Sequence, residues 1–90
     1  MIFQSGWYCD AVLKGANLKK ADLREAILVG ADLRKANLHR VNVLESDWIE
    51  KLKEWEVGGH EEIKDKYFAV DSGETTRAKQ IIYELELKEN

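Results

Sequence analysis

Apolar residues recur at every fifth position from Ala11 to Glu45. Taken in fives, this stretch reads AVLKG, ANLKK, ADLRE, AILVG, ADLRK, ANLHR and VNVLE, seven consecutive blocks with no insertion. Each block has an apolar centre (Leu13, Leu18, Leu23, Leu28, Leu33, Leu38, Val43), and two residues before it stands Ala or, at 41, Val. Five blocks place Asn or Asp just before the centre: Asn17, Asp22, Asp32, Asn37 and Asn42. On a helix, positions five apart would wander round the surface; on a strand of period two they would alternate between faces. A spacing of five keeps every centre inward if each block is one short side of a square coil. The centres and the small residues are then core. The Asn and Asp side chains, short and polar, are expected to bond nearby backbone at the corners.

These blocks resemble the pentapeptide-repeat family, whose pattern is A(D/N)LXX. The resemblance covers about residues 1–48. It implies a right-handed quadrilateral β-helix with four pentapeptides to a coil, and the run of matches in one register is what makes it specific. The register extends outward: Phe3 and Tyr8 fall at the centres of MIFQS and GWYCD, and Trp48 at the centre of SDWIE. A solenoid beginning near Ile2 would hold a little over two coils. Its ends expose core and strand edges, which need caps; Phe3, Tyr8, Val41 and Trp48 stand where caps are needed.

Beyond residue 47 the five-residue period stops. Asp47 and Glu50 read as a capping box opening a helix at about Trp48. Trp48, Ile49, Leu52 and Trp55 share one helical face, and Gly58-Gly59 reads as the stop. This helix is expected to plug the terminal coil and to lie along its side. A second short helix, about His60 to Lys66, buries Ile63 and Tyr67. Phe68 to Val70 reads as a strand and Asp71-Ser72-Gly73 as a turn. Ile81, Tyr83, Leu85 and Leu87 alternate with Ile82, Glu84 and Glu86, as in a returning strand. Ala78, Ile81, Ile82 and Leu85 also share a helical face, and the composition there favours helix. The expectation is a β-hairpin with its loop near 72–79. The predicted fold is mainly β: a short quadrilateral β-helix (1–47) with a small α+β cap of helices and a hairpin (48–90), packed as one domain.

Composition sharpens the division. Residues 1–45 hold seven Lys or Arg against five Asp or Glu, whereas 46–90 hold seven against twelve. The whole chain of 90 residues has a formal charge of −3, no proline and one cysteine. A single Cys9 argues against a disulfide framework and suits a reducing cytosol. The start MIFQSGWYCD has no basic n-region or apolar run, so no signal peptide is expected. No apolar run reaches the length of a membrane helix. The expected location is cytoplasmic.

With twenty residues to a coil, Lys19 and Lys20 stack on His39 and Arg40, and Asn17 on Asn37. Around one corner lie Lys14, Arg34 and Lys35. These seven basic residues form a candidate interaction surface. The following side mixes signs (Arg24, Glu25, Leu44, Glu45). On the last side Trp7, Cys9, Ile27 and Val29 point outward. Such an apolar side is usually covered, and the chain's own C-terminal segment is its expected cover; otherwise it is a docking side.

Catalytic chemistry is sparse. His39, His60 and Cys9 are far apart in sequence and do not make a zinc set. No base neighbours Cys9 as a nucleophile would require, and no Gly-rich phosphate loop, HExxH or GxSxG occurs. Neither catalysis, nor a cofactor, nor a metal is expected. Glu61-Glu62 and Glu84/Glu86 read as solvated faces. Basic residues without interleaved exposed aromatics, on a net acidic protein, make direct nucleic-acid binding a weak reading.

Three functions compete. The first is a non-catalytic protein-protein interaction or scaffold module. The second follows from the resemblance: some long pentapeptide proteins are similar to duplex DNA in width and charge and act on type II topoisomerases. That activity needs an elongated acidic rod, and this coil is short and carries positive charge. The acidic surface is instead Glu50, Glu54, Glu56, Glu61, Glu62, Asp65, Asp71, Glu74, Glu84, Glu86 and Glu89, which could modulate a topoisomerase or nuclease. The third is assembly: coils stacking end to end as a homodimer that buries Phe3 and Tyr8.

Overall fold

A computed structural model describes residues 8–88; Ile2, Phe3, Trp7 and Glu89 lie outside the described residues. From Tyr8 to Val43 the backbone turns a corner every five residues. At each corner the amide of the small residue donates to the carbonyl of the preceding centre, from Ala11 N–H to Tyr8 through Val41 N–H to Leu38, at 2.8–3.2 Å. The residue before each small one has positive φ: Asp10, Lys20, Glu25, Lys35 and Arg40 at 58–64°, and Gly15 and Gly30 at 71° and 74°. A turn whose third residue is left-handed closes the corner with one hydrogen bond and reverses the chain sharply. Holding a non-glycine residue there costs about 1–2 kcal/mol, so burial of the centres must offset it.

Four corners bring the chain back alongside itself. Parallel bridges join Val12 to Asp32, Asn17 to Asn37, and Asp22 to Asn42, each twenty residues apart. Amides of one turn reach carbonyls of the next, as in Leu18 N–H to Asn37 (2.9 Å) and Asn37 N–H to Ala16 (2.9 Å). The sides are so short that only Asn42–Val43 forms a named strand, β1. Leu18, Leu23, Leu28, Leu33, Leu38 and Val43 are buried, with Ala21, Ala26, Ala31, Ala36 and Val41 between them. Burying one such leucine contributes about 1.5–3 kcal/mol.

The C-terminal half comprises α1 (Trp48–Glu54), α2 (His60–Lys66), β2 (Tyr67–Thr75) and β3 (Ile81–Leu87). β1, β3 and β2 form one antiparallel sheet in that order, so the last repeat is an outer strand of the cap's sheet. The hairpin expectation holds and residues 81–87 are strand, with the turn later than expected. β2 runs through Ser72-Gly73 as a bulge between Asp71 and Glu74, and the reversal lies at 76–80. There the Thr76 amide donates to the Gln80 carbonyl (2.9 Å), with Lys79 left-handed. The Asp71 carboxylate accepts from the Gly73 amide (2.8 Å), and the Ser72 hydroxyl donates to the Ile82 carbonyl (2.6 Å). Both bonds hold the bulge without ending the strand.

Two other expectations change. Asp47 precedes α1 but its side chain makes no capping bond. At that end the Trp48 amide donates to the Glu45 carbonyl (3.2 Å), and the first bond of the helix runs from Lys51 N–H to the Asp47 carbonyl (3.1 Å). Nor does Gly58-Gly59 stop α1, which ends at Glu54 with Glu56 left-handed (φ 55°). The glycines serve contact instead. Gly58 bridges Asp32 on the edge opposite Val12. A Cβ on Gly59 would stand 3.0 Å from the Arg34 Cα, and the residue has φ 87°.

Candidate functional site

The final turn of the repeats ends in unpaired backbone, and the C-terminal half is arranged to pair it. On the side 30–33, the Gly30 amide donates to Trp55 (2.8 Å), Gly58 to Ala31 (2.8 Å) and Leu33 to Gly58 (2.9 Å). On the side 40–43, Arg40 N–H donates to Leu85 (2.7 Å) and Leu85 N–H to Val41 (3.0 Å). Between them the Leu38 amide donates to the Tyr67 hydroxyl (3.2 Å). Trp48 (1% exposed), Leu52, Val57, Ile63 and Leu85 close the apolar interior. Trp48 is thus buried at the end of the repeats.

The cap consequently does not cover the apolar side. Cys9 is exposed, Val29 is 44% exposed and Ile27 is half-buried; Trp7 lies outside the described residues. The reason is energetic. A buried backbone amide left without a partner costs as much as a lost hydrogen bond, whereas exposed apolar side chains are ordinary on soluble proteins. The C-terminal segment goes where the unpaired backbone is.

The basic side divides into paired and unpaired residues. Asp32 accepts from the Arg34 amide (3.0 Å), from Nε (2.9 Å) and from Nη2 (2.8 Å). Asp22 and Arg24 repeat the arrangement at 3.1, 2.8 and 2.7 Å. Chiefly through the Arg34 guanidinium bond, the Asp32 carboxyl falls to about 2. The Arg24 guanidinium likewise lowers Asp22. The motif ADLR therefore carries its own ion pair, since residues two apart on either side of the centre both face outward. Asn17 and Asn37 accept from the amides of Lys19 (3.2 Å) and His39 (3.1 Å), as expected of corner residues.

Glu84 and Glu86 are not simply solvated. β3 lies beside residues 40–43, and its acids face the bases of that turn. His39 Nε2 lies 3.3 Å from Glu86, and Arg40 Nε lies 3.8 Å from Glu84 and 4.0 Å from Glu86. The two carboxyls also meet each other. A hydrogen bond from Glu84 to Glu86 raises the first and lowers the second, so Glu84 keeps its proton to higher pH. Glu62 pairs with Lys66 (3.1 Å) and Glu45 with Lys51 (3.9 Å). Sequence reasoning missed the His39–Glu86 contact because it joins residues 47 apart; the alternation of acids along 81–87 was the available signal.

Lys14, Lys19, Lys20 and Lys35 remain exposed with no ion pair among the described residues. No group of three or more His, Cys, Asp or Glu able to hold a metal occurs among the described residues. Nor is any helix there long and apolar enough to cross a membrane. An open cleft of about 370 Å³ lies between the repeats and the hairpin loop, lined by Arg24, Leu44 and Arg77 among others.

No curated protein and no solved structure matches the chain. The family model described as pentapeptide repeats (8 copies) matches residues 10–43, a span of six complete blocks and parts of two more. That segment is where the corners and twenty-residue bridges occur, and it agrees with a non-catalytic repeat module. Residues 10–43 thus carry the repeats that the pentapeptide-repeat model describes.

Proposed function

We propose that this chain is a non-catalytic protein-protein interaction module of the cytoplasm. Its repeats (1–47) form a short right-handed quadrilateral β-helix, a solenoid of about two coils, and residues 48–90 cap it within the same domain. One observation carries the reading: neutralisation of the basic side is uneven. Arg34, His39 and Arg40 are held by acids of this chain, while Lys14, Lys19, Lys20 and Lys35 stand unpaired on adjacent turns. Neighbouring turns about 4.8 Å apart bring the bases of those lysine side chains close together on one side. The partner that suits it is a protein with an acidic surface.

The test is a pull-down from nuclease-treated lysate at low and moderate salt, with the chain and with a variant carrying Lys14→Glu, Lys19→Glu, Lys20→Glu and Lys35→Glu. Glu25 already occupies the same left-handed corner position as Lys20 and Lys35, so glutamate suits the backbone there. The expected result is a partner that weakens with salt and is lost with the variant. Equal recovery by both proteins would reject the basic side as the docking surface.

The alternative is an acidic modulator of a nucleic-acid-processing enzyme. It would draw on the C-terminal carboxylates, and three of these are engaged within the chain: Glu84 and Glu86 by Arg40 and His39, and Glu62 by Lys66. That leaves a less regular negative surface than a substitute for a phosphate backbone requires.

A further inference from the structure

β2 is the outer strand of the sheet β1-β3-β2, and its far edge carries unused backbone groups. The Lys88 amide donates to the Lys66 carbonyl (2.8 Å), which sets the alternation along the hairpin. Phe68 and Val70, opposite Glu86 and Glu84, direct their backbone toward β3. Tyr67, Ala69 and Asp71 therefore direct theirs away from it. The Tyr67 amide is taken by the Ile63 carbonyl. The Ala69 amide and carbonyl, the Tyr67 carbonyl and the Asp71 amide have no partner among the described residues.

Natural sheets usually blunt such an edge with lysine, proline or a bulge. Residues 67–71, Tyr-Phe-Ala-Val-Asp, have none of these, and the bulge begins only after Asp71. Phe68 is 41% exposed. A groove of about 270 Å³ runs beside this stretch, lined by Ile49 and Glu50 of α1, by Tyr67, Phe68 and Ala69 of β2, and by Lys64 and Lys88.

Charge selects the occupant. Lys64 and Lys88 stand at the start of β2, with Asp65 between Lys64 and Lys66 and with Lys66 held by Glu62; Asp71 and Glu74 stand at its far end. Antiparallel pairing of two such strands sets basic end against acidic end, whereas parallel pairing sets like against like.

We propose that β2 is a self-association edge, pairing antiparallel with β2 of a second copy about a two-fold axis at Ala69. Each Ala69 amide then donates to the other copy's Ala69 carbonyl, and each Asp71 amide to the other's Tyr67 carbonyl. Phe68 of each copy covers Val70 of the other on one face, and the sheet becomes continuous across the dimer. Such contact lies at the small end of specific interfaces, so the dimer is a reversible one. The inference rests on reading the chain as an interaction module. It uses a surface other than that of Lys14, Lys19, Lys20 and Lys35, so the two tests can fail separately.

Sedimentation velocity on the whole chain, from about 10 µM to about 500 µM, reads this directly. The proposal expects a monomer–dimer equilibrium in that range. Ala69→Pro, which removes an outward-facing donor, should raise the dissociation constant about tenfold or more. Two charge variants make the test independent of that proline's effect on folding. The pair Asp71→Lys with Glu74→Lys, and the pair Lys64→Glu with Lys66→Glu, should each be monomeric alone. Mixed together they should form a heterodimer, since every basic end again meets an acidic one. A chain monomeric throughout the range overturns the proposal. So does a dimer indifferent to all these variants, which would place association elsewhere, as at the end bearing Tyr8.

Discussion

Residues 11–43 and residues 48–88 solve different problems with similar means. In the repeats, each residue's environment follows from neighbours five and twenty positions away. From Leu18 on the centres are buried while Leu13 is half-buried, the corners are left-handed, and Asn17, Asp22, Asp32 and Asn37 accept from the amide two residues on. In the cap no position repeats another. Trp55, Gly58, Tyr67 and Leu85 are placed by what the last turn leaves unpaired: the amides of Gly30, Leu33, Leu38 and Arg40. A periodic half can propagate but cannot end itself, and the aperiodic half is the ending. The difference predicts that the cap has little independent stability and that the repeats depend on it.

The largest test is Trp48→Ala, which opens the interior at the junction. It should cost about 3–5 kcal/mol, read as a lower midpoint in urea, and it should lower both halves in one transition. Two separate transitions would break the comparison, because they would mean that the halves fold independently. Leu33→Ala, in the middle of the repeats, should cost about 2–5 kcal/mol and give the same single transition.

Next come the glycines. Gly15 and Gly59 both have positive φ, at 71° and 87°. An added Cβ at Gly15 meets nothing, whereas at Gly59 it meets Arg34 backbone. Gly15→Ala should therefore cost only the left-handed strain, about 1 kcal/mol, and Gly59→Ala clearly more by the same measurement. Equal costs would show that the 58–59 segment does not bear on the repeats.

A smaller effect, opposite in sign, should follow from Lys20→Gly or Lys35→Gly. Relief of left-handed strain is partly offset by the greater freedom of unfolded glycine, leaving a gain of at most about 1 kcal/mol. Differential scanning calorimetry would detect it as a raised Tm.

The smallest is a pH effect confined to the repeats. The folded state holds the Asp32 carboxyl at about 2, below its ordinary value, through Arg34. A depressed carboxyl contributes stability that is fully present above the unfolded value and is lost as pH falls through the folded one. Tm should thus decline from about pH 4 down to about pH 2, and Asp32→Asn should flatten that decline. Asp22, lowered by Arg24, acts in the same direction.

The sequence by itself determined the repeats: their register, their buried centres, the accepting role of Asn17 and Asn37, and the return after twenty residues. It did so because each block meets the same local environment, so seven copies state one rule. It also placed Trp48 at the end of the repeats and α2 at about His60–Lys66, whereas the alternation along 81–87 fitted a strand and a helical face alike and the pairing with β2 decided for strand. Glycine at 15 and 30 marked the left-handed corner, although five other residues adopt it without that mark. The pairing of Arg34 with Asp32 was open to a reading of outward-facing neighbours two apart.

Only the tertiary structure decided which groups of the cap meet the last turn. Gly58 beside Asp32, the Tyr67 hydroxyl beneath the Leu38 amide, and Glu86 against His39 join residues distant in the chain and follow no period. The same competition left Cys9 and Val29 uncovered. Hydrogen-bonding the unfinished edge of the last repeats outweighed hiding an apolar side, and an energy balance between distant segments leaves no local pattern to read.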